Sequence, residues 1–92
     1  MKFNLEEEIL ALDNKSLGVK YGKAISDILL SPAQDDNGFN KYRYYTIAMK
    51  LLDKEEIELD KEEVEFILQK IERVSPPLIY GRIRDFLKTK DS

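Results

Sequence analysis

Asp60-Lys61-Glu62-Glu63-Val64-Glu65-Phe66-Ile67-Leu68-Gln69-Lys70-Ile71-Glu72-Arg73-Val74 is the stretch on which the fold turns. Asp60 has the right chemistry for an N-cap. Glu63, three residues on, can reach back to complete a capping box. Behind this start, Val64, Ile67, Leu68, Ile71 and Val74 recur at helical spacing, which predicts a helix over 61–74 with one buried stripe. Ser75-Pro76-Pro77 stops it, because a residue before proline avoids the helical region. Ser75 is then placed to cap a further helix with Pro76 at its first position. That helix runs from about 76 to 88 and turns Ile79, Ile83, Phe86 and Leu87 inward. Residues 89–92 are expected to be a frayed polar tail.

Upstream of Asp60, Ile57 and Leu59 alternate with Glu56 and Glu58, the period of an extended segment. Before it a helix is expected from about 40 to 53. Its apolar positions are Tyr44, Ile47, Ala48 and Leu51, and Tyr45, Met49 and Leu52 widen the face. A polar loop, Pro32 to Gly38, separates it from an earlier helix over about 20–30, marked by Tyr21, Ala24, Ile25, Ile28 and Leu29. Gly18 and Gly22 bracket the junction that opens this earlier helix. Residues 1–17 admit two readings. Asp13-Asn14-Lys15-Ser16 is turn chemistry between two short strands. Alternatively, Glu6-Glu7-Glu8 would suit the first turn of a short helix. The run after the glutamates is short for a stable helix, which favours the hairpin-like reading. The expectation is a mainly α fold: a small four-helix domain with an extended or hairpin-like N-terminal segment. It forms one domain over 1–92, with an N-terminal segment 1–17, a helical body 18–88 and a tail 89–92.

Composition narrows the function classes. The 92 residues suffice for one domain. Net charge is −3, which argues against a general nucleic-acid binder. The chain has no cysteine and no histidine, which removes disulfides, thiolate and imidazole metal sites, and the commonest acid–base group. No cofactor, metal or catalytic residue is expected, and the protein is read as a non-enzyme. Glutamates interrupt the N-terminal sequence where a signal peptide needs an apolar core. No apolar run approaches the roughly 20 residues of a membrane span. A cytoplasmic protein with no membrane contact is expected.

Several segments invite sharper chemistry. Gly18-Val19-Lys20-Tyr21-Gly22-Lys23-Ala24 falls short of a phosphate loop in spacing, and Ala24 stands where a magnesium-binding hydroxyl is required. A helix start with a close-packed glycine accounts for it. Asp35-Asp36-Asn37-Gly38, aligned as a calcium loop, puts Ala33 and Tyr44 at ligand positions, so a turn is the better reading. The acidic run from Glu55 to Glu65 supports helix starts and solvates a face. Lys41, Arg43, Lys50 and Lys54 on the second helix, and Arg82, Arg84, Lys88 and Lys90 on the last, would need to share one face to hold a nucleic acid.

The spacing of Leu17-Gly18, Gly22-Lys23-Ala24-Ile25, Leu29-Leu30, Tyr45, Ala48-Met49-Lys50-Leu51, Ile57-Glu58-Leu59-Asp60, Gly81-Arg82-Ile83 and Phe86-Leu87 resembles that of small proteins encoded in tailed-phage and prophage genomes. The resemblance spans most of 17–88. It implies a phage origin and a host cytoplasm, and it carries no activity or site residue.

The second helix holds more apolar and aromatic residues than one stripe can bury, so it is either central or shared with a partner. The working surface is therefore expected around Tyr42 and Tyr45, with Lys41 and Arg43 as a charged rim. The expected function is a protein-interaction module in assembly or regulation, binding another protein or a second copy. A nucleic-acid-binding regulator and a self-associating structural factor are the alternatives.

Overall fold

The structure, a computed structural model, describes residues 2–32, 37–52 and 54–89. In chain order the elements are β1 (Lys2–Asn4), β2 (Glu8–Leu10), β3 (Ser16–Lys20), α1 (Tyr21–Leu29), α2 (Gly38–Leu51), β4 (Glu56–Glu58), α3 (Lys61–Val74) and α4 (Pro77–Thr89). The architecture is mainly helical with two small antiparallel sheets, not a bare four-helix bundle.

The N-terminal segment is strand, not helix. β2 and β3 form an antiparallel hairpin, with Glu8 opposite Lys20 and Leu10 opposite Ser16. Between those pairs β3 advances four residues while β2 advances two, so β3 is bulged. The bulge contains Gly18 at φ 77°. Ser16 Oγ accepts the Gly18 N–H at 3.0 Å. At the turn, Asn14 takes φ 66°, a conformation asparagine tolerates, and donates its N–H to Ala11 O at 3.0 Å. The hairpin extends to Lys20, beyond the boundary of 17 expected for the extended segment.

The second sheet was only half visible in the sequence. β4 is the expected extended piece, but its partner is β1, in the register Lys2↔Glu58, Phe3↔Ile57, Asn4↔Glu56. Phe3 and Ile57 turn into the core together, and Lys2 faces Glu58 across the outer side. Leu5 N–H continues the ladder to Glu55 O at 2.8 Å.

This stitching explains how α1 begins. Its N-cap, Lys20, offers no side-chain acceptor. The N–H groups of Tyr21 and Gly22 instead donate to Glu7 O at 2.9 Å and Leu5 O at 3.1 Å. Two orphan donors of the first turn are thus satisfied by chain far away in sequence. The approach is so close that a Cβ on Gly22 would lie 2.9 Å from Leu5 Cβ. The glycine reading of the failed phosphate-loop segment is therefore correct in physical terms.

α2 and α3 are capped from their own sequence. Asn37 Oδ1 accepts the Asn40 N–H at 2.8 Å, which gives part of the supposed calcium loop a structural role; Asp35 and Asp36 lie outside the described residues. In α3 the capping box is complete, with Glu63 N–H to Asp60 Oδ1 at 2.7 Å and Asp60 N–H to Glu63 Oε1 at 3.1 Å. One expectation shifts by a residue. α4 starts at Pro77, and it is the Pro76 carbonyl that accepts the Tyr80 N–H at 3.0 Å. Ser75 closes α3 through its N–H to Ile71 O at 3.0 Å and does not cap α4. Its Oγ is buried without a hydrogen-bond partner among the described residues.

The core gathers around α3, which buries Val64, Phe66, Ile67, Leu68, Lys70 and Ile71. Ile25 and Leu29 of α1, Ile83 and Leu87 of α4, and Phe3, Leu5 and Ile9 of the N-terminal segment complete it. Phe86 stacks on Tyr21 at 4.1 Å and meets Phe3 at 5.6 Å, tying α4 to α1 and β1. Arg82 reaches from α4 to Ala11 O at 2.6 Å and fastens the hairpin from the other side. Among the described residues no helix is long and apolar enough to cross a membrane.

Candidate functional site

α2 buries Tyr44, Ile47, Ala48 and Leu51, the stripe expected from its spacing. Tyr44 stacks on Phe66 of α3 at 4.5 Å, and its hydroxyl accepts from Arg73 Nη2 at 2.8 Å. Lys70, also of α3, lies almost wholly buried with Nζ 4.8 Å from the Tyr44 ring centre. Periodicity gave no sign of a buried lysine; only the aromatic pair across the helices makes a place for its stem and charge.

The residues that widened the apolar face are exposed. Tyr42 is 68% accessible, Tyr45 49%, Met49 51% and Leu52 55%. Their spacing is three, four, three, which winds one narrow stripe along an α-helix, as in a helix–helix seam. The rings of Tyr42 and Tyr45 sit 6.1 Å apart, tilted by 35°. Beside this seam a groove of about 360 Å³ opens between α1 and α2. Its floor is Gly22, Ser26, Ala48 and Leu51, and small residues at three of these positions leave the concavity unfilled. Tyr45, Met49, Leu52 and Leu30 form its apolar walls. Lys20, Lys23, Lys54, Glu6 and Asp27 stand around it. The groove was not foreseen, because its two walls come from different helices. The signal available in the sequence was Gly22 and Ser26 at i, i+4 facing a helix with surplus apolar residues.

Of the four residues singled out from sequence, the structure brings Tyr42, Tyr45 and Lys41 to one exposed side. Lys41 is one turn before Tyr45 on the same side of α2. Arg43 does not belong with them. Its guanidinium lies 4.2 Å over the Phe66 ring and 3.6 Å from Glu62, on the side of α2 that faces α3. A helix turns about 100° per residue, so neighbours in sequence do not share a rim.

Charge is spent internally at most basic positions. Lys50 binds Glu63 at 3.0 Å, Lys88 pairs with Glu65, Lys20 with Glu6, and Lys23 with Asp27 at 3.0 Å. The first turns of α3 thus receive Arg43 and Lys50 from α2 on one side and Lys88 from α4 on the other. The basic residues of α2 and α4 are separated by α3's acidic start and do not make one face; Lys90 lies outside the described residues. The acidic run is likewise occupied in part by these pairs. The Glu6 partner holds the Lys20 ammonium above its ordinary pKa, and burial raises that of Tyr21, with Glu7 adding to it. Among the described residues no group of three or more carboxylates could hold a metal ion.

No protein-family model, curated protein or solved structure matches the chain. The likeness to small phage proteins rests on its residue spacings alone.

Proposed function

We propose that the protein is a non-enzymatic interaction module that binds another protein through the outer side of α2 and the groove α2 makes with α1. The observation that carries this reading is the seam Tyr42, Tyr45, Met49 and Leu52, large apolar side chains about half or more exposed in helix-pairing order. A contiguous patch of this kind on a small domain is costly to leave in water, and such patches mark association sites. Tyrosine at its centre fits an interface anchor, since it brings area with little rotamer entropy and has a polar tip. A nucleic-acid regulator is the weaker reading, because Arg43, Lys50, Arg82 and Lys88 are engaged within the fold and lie on separate sides. Action in assembly or regulation is the setting in which such a module would work.

The test is a photo-crosslinking amino acid placed at Met49, with the exposed position Glu72 on α3 as control, in lysate of the source cell. A discrete adduct at 49 and none at 72 is expected. Equal labelling at both positions, or none at 49, would overturn the reading.

A further inference from the structure

The groove and the seam together specify their occupant. We propose that they take a single amphipathic helix with acidic flanks, supplied by another protein. This rests on the interaction reading above and adds the chemistry of the partner.

Shape is the first argument. Tyr42 to Leu52 spans roughly 15 Å of helix, and the 3-4-3 order presents knobs to a helix lying alongside. The groove between α1 and α2 supplies the matching trough, as when an amphipathic helix lays its apolar face between two others. Area is the second argument. The exposed parts of Leu30, Tyr42, Tyr45, Met49 and Leu52 amount to on the order of 500 Å². A stable face between two globular copies needs about 800 Å² from each. One helix is covered by less, so the patch suits a helix better than a second copy.

Charge is the third. The basic residues of α2 are Lys41, Arg43 and Lys50, and Gly38–Leu51 has no acidic one. Lys41 flanks the seam on the groove side, and Lys50 and Arg43 lie on the other. Facing them from α1 and the N-terminal segment are Lys23 with Asp27 and Lys20 with Glu6, each pair closed on itself. Glu8 and Glu55 lie near Lys20, and neither lines the groove. Lys54 lines its far end, and neither Lys54 nor Lys41 has an ion-pair partner among the described residues. The groove therefore offers uncommitted cations at both ends and no uncommitted carboxylate among its described residues. Two α2 helices laid together would bring cation to cation, whereas glutamates flanking a leucine stripe would meet Lys41 and Lys54.

The experiment uses the full chain and two labelled synthetic helices of about 16 residues, roughly 24 Å long. They share one leucine face and differ only in carrying glutamate or lysine on the flanks. Fluorescence anisotropy should give micromolar binding of the glutamate peptide and at least about tenfold weaker binding of the lysine peptide. Met49→Lys should abolish binding while leaving the circular-dichroism spectrum unchanged. Lys41→Glu with Lys54→Glu should invert the preference between the peptides. Equal affinities, or binding of neither peptide, would overturn the proposal. If neither binds and sedimentation shows a dimer that Met49→Lys dissolves, a second copy covers the face; the acidic helix is then wrong and the interaction surface stands. If neither binds, the chain is monomeric and the crosslinker at 49 stays unreacted, both readings fall.

Discussion

Helices α2 and α3 are each 14 residues long, each capped by a side chain from the residue just before it, and each rich in apolar residues. They sit in opposite circumstances. α3 buries residues on most of its circumference, including Phe66 and Lys70, which its periodicity left outside the stripe. α2 buries one stripe and turns a second, Tyr42-Tyr45-Met49-Leu52, to water. A surplus of apolar residues on a helix therefore has two outcomes, and the count alone does not choose. What chooses is the number of neighbours. α3 has α1, α2 and α4 around it, whereas α2 packs on α1 on one side and meets α3 only along another.

The contrast is sharpest in a pair of substitutions. Ile67→Ala removes a fully buried side chain from α3 and is expected to cost about 2–5 kcal/mol in chemical denaturation. Met49→Ala on the outer side of α2 should change stability by less than about 0.5 kcal/mol. Similar costs at the two sites would show that the outer face of α2 is packed in solution. Gly22→Ala comes next. The added methyl group meets Leu5 Cβ at 2.9 Å, and neither the helix nor the N-terminal segment can give way freely. A loss of roughly 1–3 kcal/mol is expected, where alanine at an open helical position would instead stabilise. A gain measured by urea denaturation would mean that the N-terminal segment does not hold α1 as described.

Cap deletions test whether the two starts are equivalent. Asn37→Ala and Asp60→Ala should each cost about 1 kcal/mol by thermal denaturation. Asp60→Ala should cost the more, because it also breaks the reciprocal bond from Glu63 and removes a charge favourable to the helix dipole. The smallest effect is that of pH. The folded chain holds the Tyr21 proton more tightly than the unfolded chain, because burial opposes the phenolate. A pKa raised on folding contributes stability below the ordinary value of 10.0 and loses it as pH rises through the folded value. Lys20 acts in the same direction above its own ordinary value, through Glu6. The melting temperature should therefore fall between about pH 9 and about pH 12, and Tyr21→Phe should lessen the fall.

The sequence by itself determined what short-range chemistry can determine. The period of Val64, Ile67, Leu68 and Ile71 fixed α3, and Asp60 with Glu63 fixed its start, because a capping box needs only four residues. Asp13 to Ser16 fixed a turn for the same reason. The spacing of Tyr44, Ile47, Ala48 and Leu51 fixed the inner face of α2. Tertiary structure decided the pairing of β1 with β4, since strands more than fifty residues apart in sequence leave no local trace of their register. It decided where α1 begins, because its cap is the backbone of Leu5 and Glu7. It also decided the candidate site. Tyr42 and Tyr45 could be read as surplus, but whether a surplus residue is core or surface depends on what stands opposite it. Arg43, next to them in sequence, went to Phe66 and Glu62. The groove exists only where Gly22 and Ser26 of one helix face Ala48 of another, and a concavity between two helices is a property of their packing that neither sequence segment contains.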